Sequence, residues 1–483
     1  MSLGKQYMER INDGRKVWLG NQAVGNVAHH PAFAATVHNI ALLLDKQNEP
    51  DTRDQLTYRG DKSRANIAFL VPRSKEDLLR RHSALKFYAD ATFGMMDGLS
   101  QYARSLLTGH YANRHYSGIG HAYANKIESY YKFIKENDLL CTGAAHDPLR
   151  NDSQPPSRFD EASGPGLRIV RETEDGIIVS GARMAAANAP YVDEILVSFY
   201  DPRSREDKRH GYMFAVAANT PGVNIVCRES FAADEPDDHP VSARFEDMDT
   251  VIIFDDVLVP WERVFIKNNP EALLKIQRDP AAAALGQHQT VVRLLSNLEF
   301  IAAVGHALTS ASDRKAFLHV QEIMGELIIQ VETIKGLLIA AEHRSSPGND
   351  NIWLPEELPL QMARNLGTRF YPRAIEILRQ IGGDALLQSP AKLADFDGPI
   401  GHLLRQYYQG TDRSAIERTK LIKLAWDLVG SPPAVRRVLY EQFFWGDPVQ
   451  AYANQYKDYP KKTLTDPVWN LVDTHSKQYK GPS

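Results

Sequence analysis

Sixteen histidines and two cysteines are the side chains of this chain best suited to metal or redox chemistry, and their spacing argues against both. His29 and His30 are adjacent, while His110, His115 and His121 are too widely spaced to put two imidazoles on one helix face at i and i+4. Cys141 and Cys227 lie far apart without a C-x-x-C pattern. A disulfide framework, a zinc-thiolate site and an iron–sulfur cluster are therefore not expected, no metal site is assigned, and a reducing cytoplasm is the expected compartment. The chain also lacks GxGxxG after a strand, GxxxxGK[ST], HExxH and GxSxG. It is not expected to hold a nicotinamide, to be a P-loop enzyme or to act as a nucleophile-elbow hydrolase.

Any chemistry must then be positioned by the fold, and the stretch that organises the fold is residues 251–265, VIIFDDVLVPWERVF. Residues 251–254 read as a buried strand and 257–259 as a short second strand, with Pro260 removing a donor at the exit. Trp261 is suited to wedge this β region against the helices that follow.

The 483 residues are too many for one ordinary core, so two or three structural units are expected. With 56 basic and 60 acidic residues the formal charge is −4, which offers no electrostatic footprint for nucleic acid or an anionic membrane. No apolar signal core opens the chain and no run of eighteen apolar residues crosses it, so an unexported, membrane-free protein is expected.

The chain changes character twice. An amphipathic helix carrying Tyr7 and Ile11 opens it, followed by a turn at Asn12-Asp13-Gly14 and a short strand. Pro31 begins a helix to about Asp45, and Ser74 with Asp77 three residues on marks the start of another towards Phe93. Residues 125–136 continue the helical signal. From Arg150 to Gly166 the chain reads as a loop, after which strands take over at 167–172, 177–179, 194–199, 212–216 and 223–227, at intervals typical of a small barrel or sandwich. Residues 281–306, 316–342, 360–381, 414–428 and 433–444 then supply bundle helices, with Gly382-Gly383 stopping the third, and a polar tail follows. The reading is an α+β chain with a helical domain at 1–149, a central β-barrel at 150–275, a C-terminal helical bundle at 276–450 and a tail at 451–483. The crevice where such units meet is a favoured cofactor site.

The residues themselves resemble a family. Tyr7-Met8-Glu9-Arg10-Ile11-Asn12-Asp13-Gly14-Arg15, His30-Pro31-Ala32-Phe33, Phe93-Gly94-Met95-Met96, Gly181-Ala182-Arg183-Met184, Thr220-Pro221-Gly222, the 255–265 stretch, Leu424-Ala425-Trp426-Asp427-Leu428-Val429-Gly430-Ser431 and Phe443-Phe444-Trp445-Gly446-Asp447-Pro448 are similar, in order, to the large component of the 4-hydroxyphenylacetate 3-monooxygenases. The resemblance implies an acyl-CoA-dehydrogenase-like fold, usually tetrameric. It implies the oxygenase component of a two-component flavin monooxygenase, in which a separate reductase supplies reduced FAD and a flavin C4a-hydroperoxide formed with O2 hydroxylates a phenolic or related aromatic ring. Tighter binding of reduced than of oxidised FAD follows from that arrangement.

The resemblance also assigns residues. Gly143, Ala144 and Ala145, with Leu149, Arg150, Asn151 and Asp152, match the flavin loop, and Phe444, Trp445, Gly446 and Asp447 match the C-terminal flavin segment. Ala187 falls where the family commonly has a flavin-contacting threonine. On the substrate side, with Ser198 and Phe199, the family's arginine, tyrosine and histidine positions are Gly98, Tyr102 and Gly143 here, so only the tyrosine is kept. His146, three residues beyond Gly143, is a candidate replacement base, since an imidazole titrates near neutrality; a solvated loop histidine is the alternative. Loss of two polar groups points away from 4-hydroxyphenylacetate and towards another phenol, a larger or carrier-tethered one included. An N-oxygenase using the same flavin chemistry and a catalytically decayed scaffold remain as alternatives. The related 4-hydroxybutyryl-CoA dehydratases need a cluster that two cysteines do not furnish.

Overall fold

The computed structural model describes residues 1–60, 63–97, 99–146, 166–185, 187–198, 211–233, 235–312, 314–444 and 446–478. The N-terminal layer comprises α1 (Leu3–Arg10), α2 (Pro31–Asp45), α3 (Lys75–Ala91), α4 (Gln101–Ala112) and α5 (His121–Glu136). The caps explain most of their starts. His30 Nδ1 accepts the Ala32 N–H at 3.2 Å ahead of Pro31, and Ser74 Oγ accepts the Asp77 N–H at 3.2 Å. The Asp77 carboxylate reaches the N–H of Arg73 at 3.0 Å, one residue before the cap. α4 and α5 start without a side-chain cap from the residue before them, Ser100 and Gly120, and α4, which Ser100 precedes at φ 56°, was not expected from the sequence.

Ten strands form one mixed sheet: β1 (Lys16–Leu19), β2 (Gln22–Val24), β3 (Cys141–His146), β4 (Arg168–Glu172), β5 (Gly176–Ala185), β6 (Glu194–Ser198), β7 (Met213–Ala217), β8 (Val223–Cys227), β9 (Thr250–Pro260) and β10 (Val264–Ile266). Their order is β10-β7-β6-β3-β5-β9-β8-β1-β2, with β4 beside β5. β1 with β8 and β3 with β6 are parallel pairs in an otherwise antiparallel sheet. Strands from ahead of Arg150 thus sit inside the β layer. The two strands expected at 251–254 and 257–259 are one strand, corrected by a bulge: Phe254 faces Gly181 while Val257 faces Val179, and Asp256 takes φ 49°. The charged Asp255-Asp256 pair reads as a break in sequence but is accommodated as one extra residue.

The bundle is α6 (Pro280–Ala311), α7 (Leu318–His343), α8 (Glu357–Gly382), α9 (Ala415–Val429) and α10 (Pro432–Phe443), followed by α11 (Pro448–Asp458) and α12 (Lys462–Gln478). Asp279 caps α6 through the N–H groups of Ala281 and Ala282, both at 3.0 Å, and Ser414 with Glu417 forms a capping box on α9. α6 packs on α3, α4, α7 and α8 at once. Among the described residues it is the one helix long and apolar enough to cross a membrane, yet 67% of its most apolar window is buried inside the protein, the environment of a core helix. The tail expected after Asp447 is helical, and α11 docks on α8 where Tyr452 Oη donates to the Asn365 carbonyl at 3.0 Å.

One polar bolt crosses this core. Glu342 on α7 accepts from His288 Nε2 on α6 at 2.8 Å and from His82 Nδ1 on α3 at the same oxygen. Burial opposes the Glu342 charge, but the two imidazole donors prevail and hold its pKa down at about 2. Burial lowers the pKa of His288 in spite of the carboxylate, so the bond is a neutral N–H on a carboxylate. The signs agree. The unfolded chain takes up protons on His288 below about pH 6.5 and on Glu342 below about pH 4.3, while the folded carboxylate resists to about 2, so stability is lost progressively on acidification. Urea denaturation should find Glu342→Gln less stable than wild type by about 2–3 kcal/mol at pH 7, with the gap narrowing as pH falls from 4.5 towards 2. A gap that stays constant across that range would contradict this account.

Candidate active site

The site is built on the turn after Phe93. Gly94 takes φ 67°, and a Cβ there would meet Asn297 Cβ at 2.7 Å and the Arg293 carbonyl at 2.8 Å, so only glycine brings this backbone against α6. Its carbonyl accepts from Arg293 Nη1 at 3.2 Å and from Arg437 Nη2, and Arg437 Nη1 donates to the Met95 carbonyl at 2.8 Å. Glu441 joins both guanidiniums, at 2.6 Å to Arg293 and 2.8 Å to Arg437. All three side chains are buried. Burial pushes the Glu441 carboxyl up, but the two arginines outweigh it and keep it ionised.

From that anchor the chain reaches Asp97 and enters α4. Tyr102 N–H donates to Asp97 at 3.2 and 3.1 Å, one contact to each oxygen, and Gln289 Nε2 on α6 donates to Oδ1 at 2.7 Å. Asp97 therefore provides the cap that Ser100 does not. Burial pushes its carboxyl up to about 7, against hydrogen bonding from the Tyr102 N–H and the field of Arg293. Burial likewise raises the pKa of the Tyr102 phenol. The Tyr102 ring meets Phe444 edge-on at 5.4 Å, and Phe444 stacks on Tyr440 at 4.7 Å. Two residues assigned from distant parts of the sequence, Tyr102 and Phe444, are thus in contact.

The β side of the site comes from parallel pairing. Ala144 of β3 faces Val197 of β6, so both strands deliver their C-terminal ends, His146 and Ser198, to the same edge. Ala187 lies towards the other end of β3, where Thr142 Oγ1 donates to its carbonyl at 3.1 Å. His146 is exposed and pairs across β5 with Met184, after an irregularity between Ala144 and His146. The β edge is tied to the bundle through Asn188, which donates to Asp247 at 2.7 Å, and Asp247 in turn pairs with Arg436 and, at 3.4 Å, with Arg437. Gly446 at φ 93° turns the chain from α10 to α11, where Asp447 Oδ1 caps the Val449 N–H at 2.9 Å. Gly98, Leu149, Arg150, Asn151, Asp152, Phe199 and Trp445 lie outside the described residues.

These residues fit a flavin. Among the described residues a Cβ at Gly143 would meet nothing within 4 Å, and Ala144, Ala145 and Ala187 are small, so these residues leave space beside β3 for a flat ring. The cavity between Met95, Asp247, Tyr371 and Arg437 is only about 30 Å³, room for a water and not for an arene. His82, His288 and Glu342 bring three ligand-type atoms within 4.8 Å, a donor set the sequence did not reveal because its members are far apart in the chain. Both imidazoles already serve the same carboxylate oxygen there. Asp97, Arg293, Arg437 and Glu441 were also missed, since nothing local in a sequence marks partners about 200 and 340 positions apart.

Comparison with known proteins accords with this geometry. Residues 3–266 match the family described as 4-hydroxyphenylacetate 3-hydroxylase N terminal, and residues 276–473 match its C-terminal counterpart. The 4-hydroxyphenylacetate 3-monooxygenase oxygenase component of Thermus thermophilus is 36% identical over 467 residues, 96% of each chain. A crystal structure of such an oxygenase component complexed with FAD and 4-hydroxyphenylacetate superposes with a TM-score of 0.93 at 34% identity, covering 99% of this chain and 100% of that one. A Streptomyces globisporus monooxygenase of (3S)-3-amino-3-(3-chloro-4-hydroxyphenyl)propanoyl-[peptidyl-carrier protein SgcC2] is 28% identical over 92% of this chain and 85% of its own.

The buried clamp makes a direct prediction. Glu441→Gln strips the shared partner from two buried guanidiniums and should cost about 3–5 kcal/mol in chemical denaturation. The exposed pair Lys335–Glu332, broken by Glu332→Gln, serves as the control and should cost less than about 1 kcal/mol. Equal losses in the two variants would show that the clamp carries no special weight.

Proposed function

The chain belongs to the 4-hydroxyphenylacetate 3-hydroxylase family and is a flavin-dependent aromatic monooxygenase with FAD as cofactor; on that premise we propose that it hydroxylates a phenol other than 4-hydroxyphenylacetate. The carrying observation is the residue set at the site. Tyr102 is kept and meets Phe444, while Gly98 and Gly143 stand where the family's substrate-binding arginine and histidine would be. The overall reaction consumes ArH, O2 and reduced FAD and yields ArOH, oxidised FAD and water, with a separate flavin reductase returning the cofactor. Reduced FAD, when bound, would supply the two electrons that activate O2, one atom of which enters the ring.

Everything else falls to this chain. The small residues Gly143, Ala144 and Ala145 along β3, with Ala187 beside Thr142, would hold the ring system, and Phe444, with Trp445 beside it in sequence, would close the bundle side. Tyr102 would orient the substrate hydroxyl by hydrogen bonding, and His146 at the exposed end of β3 would accept its proton. Packing of Tyr102, Phe444 and Tyr440 would narrow the access of water to the reacting centre. The space beside Gly143 among the described residues suits a bulky substrate, a carrier-tethered one included, as in the Streptomyces relative. Buried free thiols at Cys141 and Cys227 suit a reducing cytoplasm.

Assembly belongs to the same reading. Gly383 ends α8 at φ 51°, and beside it Arg314, Asp384 and Arg418 line a cavity of about 220 Å³. These two arginines would meet the pyrophosphate of FAD bound by a second subunit in a dimer or tetramer. Light scattering at micromolar concentration should give a dimer or tetramer; a monomer would remove this part of the proposal.

Mass spectrometry of products formed under ¹⁸O2 from a panel of phenols, with enzymatically reduced FAD, tests the function itself. One labelled oxygen in a phenolic product is expected, whereas oxidation of the flavin without any labelled product across the panel would overturn the reading. Tyr102→Phe removes only a hydroxyl and should lower hydroxylation by about tenfold or more while hydrogen peroxide release rises. Unchanged coupling in both Tyr102→Phe and His146→Ala would place the substrate elsewhere.

A further inference from the structure

Asp97 has more acceptor capacity than the described residues around it use. A carboxylate offers about four lone-pair sites. Here Gln289 occupies one on Oδ1 and the single Tyr102 N–H is shared between the two oxygens. Among the described residues no cation stands at ion-pair distance from it. The nearby arginines are engaged: Arg293 and Arg437 hold Glu441, Arg436 holds Asp247 and Asp249, and Arg104 holds Asp138. Cations and carboxylates in the clamp around Arg293, Arg436 and Arg437 already match one for one without Asp97. Asp97 stands outside that set of pairs.

Helix capping explains part of this arrangement but not all of it. Asparagine caps a helix as well as aspartate does, and an amide at this position would accept from Tyr102 and Gln289 just as well without a charge. Yet the side chain is a carboxylate, set deep enough that burial lifts its pKa to about 7 while it keeps partial solvent contact. Tyr102, Tyr440 and Phe444 are likewise only partly covered, and the carboxylate is joined to this aromatic row through the N–H of Tyr102. A carboxylate beside aromatic rings is the recognition chemistry of an amine carried on an arene.

We propose that Asp97 is a specificity-determining residue, which selects phenols bearing an ammonium group and disfavours those bearing a carboxylate. This rests on the reading of Tyr102 as part of the substrate site, and it narrows the substrate class from phenols in general to aminoalkylphenols.

The test compares three ligands of one shape, tyramine, 4-ethylphenol and 4-hydroxyphenylacetate, by anaerobic calorimetry on the full-length protein loaded with reduced FAD. Tyramine should bind about tenfold or more tightly than 4-ethylphenol, and 4-hydroxyphenylacetate more weakly than both, one charge-assisted hydrogen bond being worth about a factor of ten. Asp97→Asn should bring tyramine to the level of 4-ethylphenol, with thermal melting close to wild type because the cap is preserved. Carboxylate binding equal to or tighter than amine binding in the wild type would overturn the proposal, as would undetectable tyramine binding at millimolar concentration or an amine preference that survives Asp97→Asn. The wild-type ligand series stands even where the variant fails to fold. Calorimetry reads recognition without turnover, so an absence of ¹⁸O product alongside a clear amine preference would sink the hydroxylase reading and leave Asp97 standing, and the converse result would do the reverse.

Discussion

Two backbone carbonyls, of Gly94 and Met95, are what the rest of the site depends on. Arg293 and Arg437 converge on them from α6 and α10 and share Glu441. Taking three ions out of water costs several kcal/mol each, and their attraction offsets that only when further hydrogen bonds take up the remaining donors. The carbonyls take up donors that one carboxylate leaves over, with Arg437 Nε alone of that guanidinium left without a partner among the described residues. The clamp therefore demands a backbone that exposes two successive carbonyls in one direction, and Gly94 at φ 67° without a Cβ meets that demand. Once the turn is fixed, Asp97 and the first turn of α4 follow within a few residues, and with them Tyr102.

How much of this was legible depends on how far each cause reaches along the chain. Helix starts marked by Pro31, Ser74 and Ser414 were readable because a cap and its acceptor lie within three or four residues. The long bundle helices were readable from periodicity, with ends a few residues short. α4 escaped notice because its cap, Asp97, stands five residues before the N–H it serves, with a left-handed Ser100 between. β3 escaped because CTGAAH is small and weakly alternating, and only its neighbours β5 and β6 make it a strand. The bulge in β9 could not be seen at all, since its register is defined by β5. The resemblance to the hydroxylase family carried Tyr102 and Phe444 into the same site, which their separation in sequence does not suggest. The clamp, the His82–Glu342–His288 bolt and Asp97 are products of packing between segments and have no local signature.

The two sides of the site meet different physical requirements. Parallel pairing of β3 with β6 gathers strand ends at one edge without a tight turn, and small side chains there keep the edge open for a planar group. The bundle side is closed by rings and held by charges. Asn188 and Asp247 join them, because Asn188 follows Ala187 on the β edge and Asp247 answers to both Arg436 and Arg437. A shift of the β edge is thus transmitted to the same arginine that holds the Gly94 turn, and the opening between the two sides is set by hydrogen bonds as well as by apolar contact.

That linkage gives Asp97 a double consequence. The carboxylate positions Tyr102 through its N–H and at the same time makes no ion pair among the described residues. A neutral side chain of the same shape would satisfy the first role at lower desolvation cost, so stability alone does not account for a charge here. A binding site does, because an uncompensated buried charge is relieved by the ligand that neutralises it and penalises the ligand that repeats it. Since the same oxygens bond the turn that carries Tyr102, a ligand that pairs with Asp97 is placed beside the phenol expected to hold its hydroxyl. Charge recognition and ring orientation are then set by one residue, within one turn of helix.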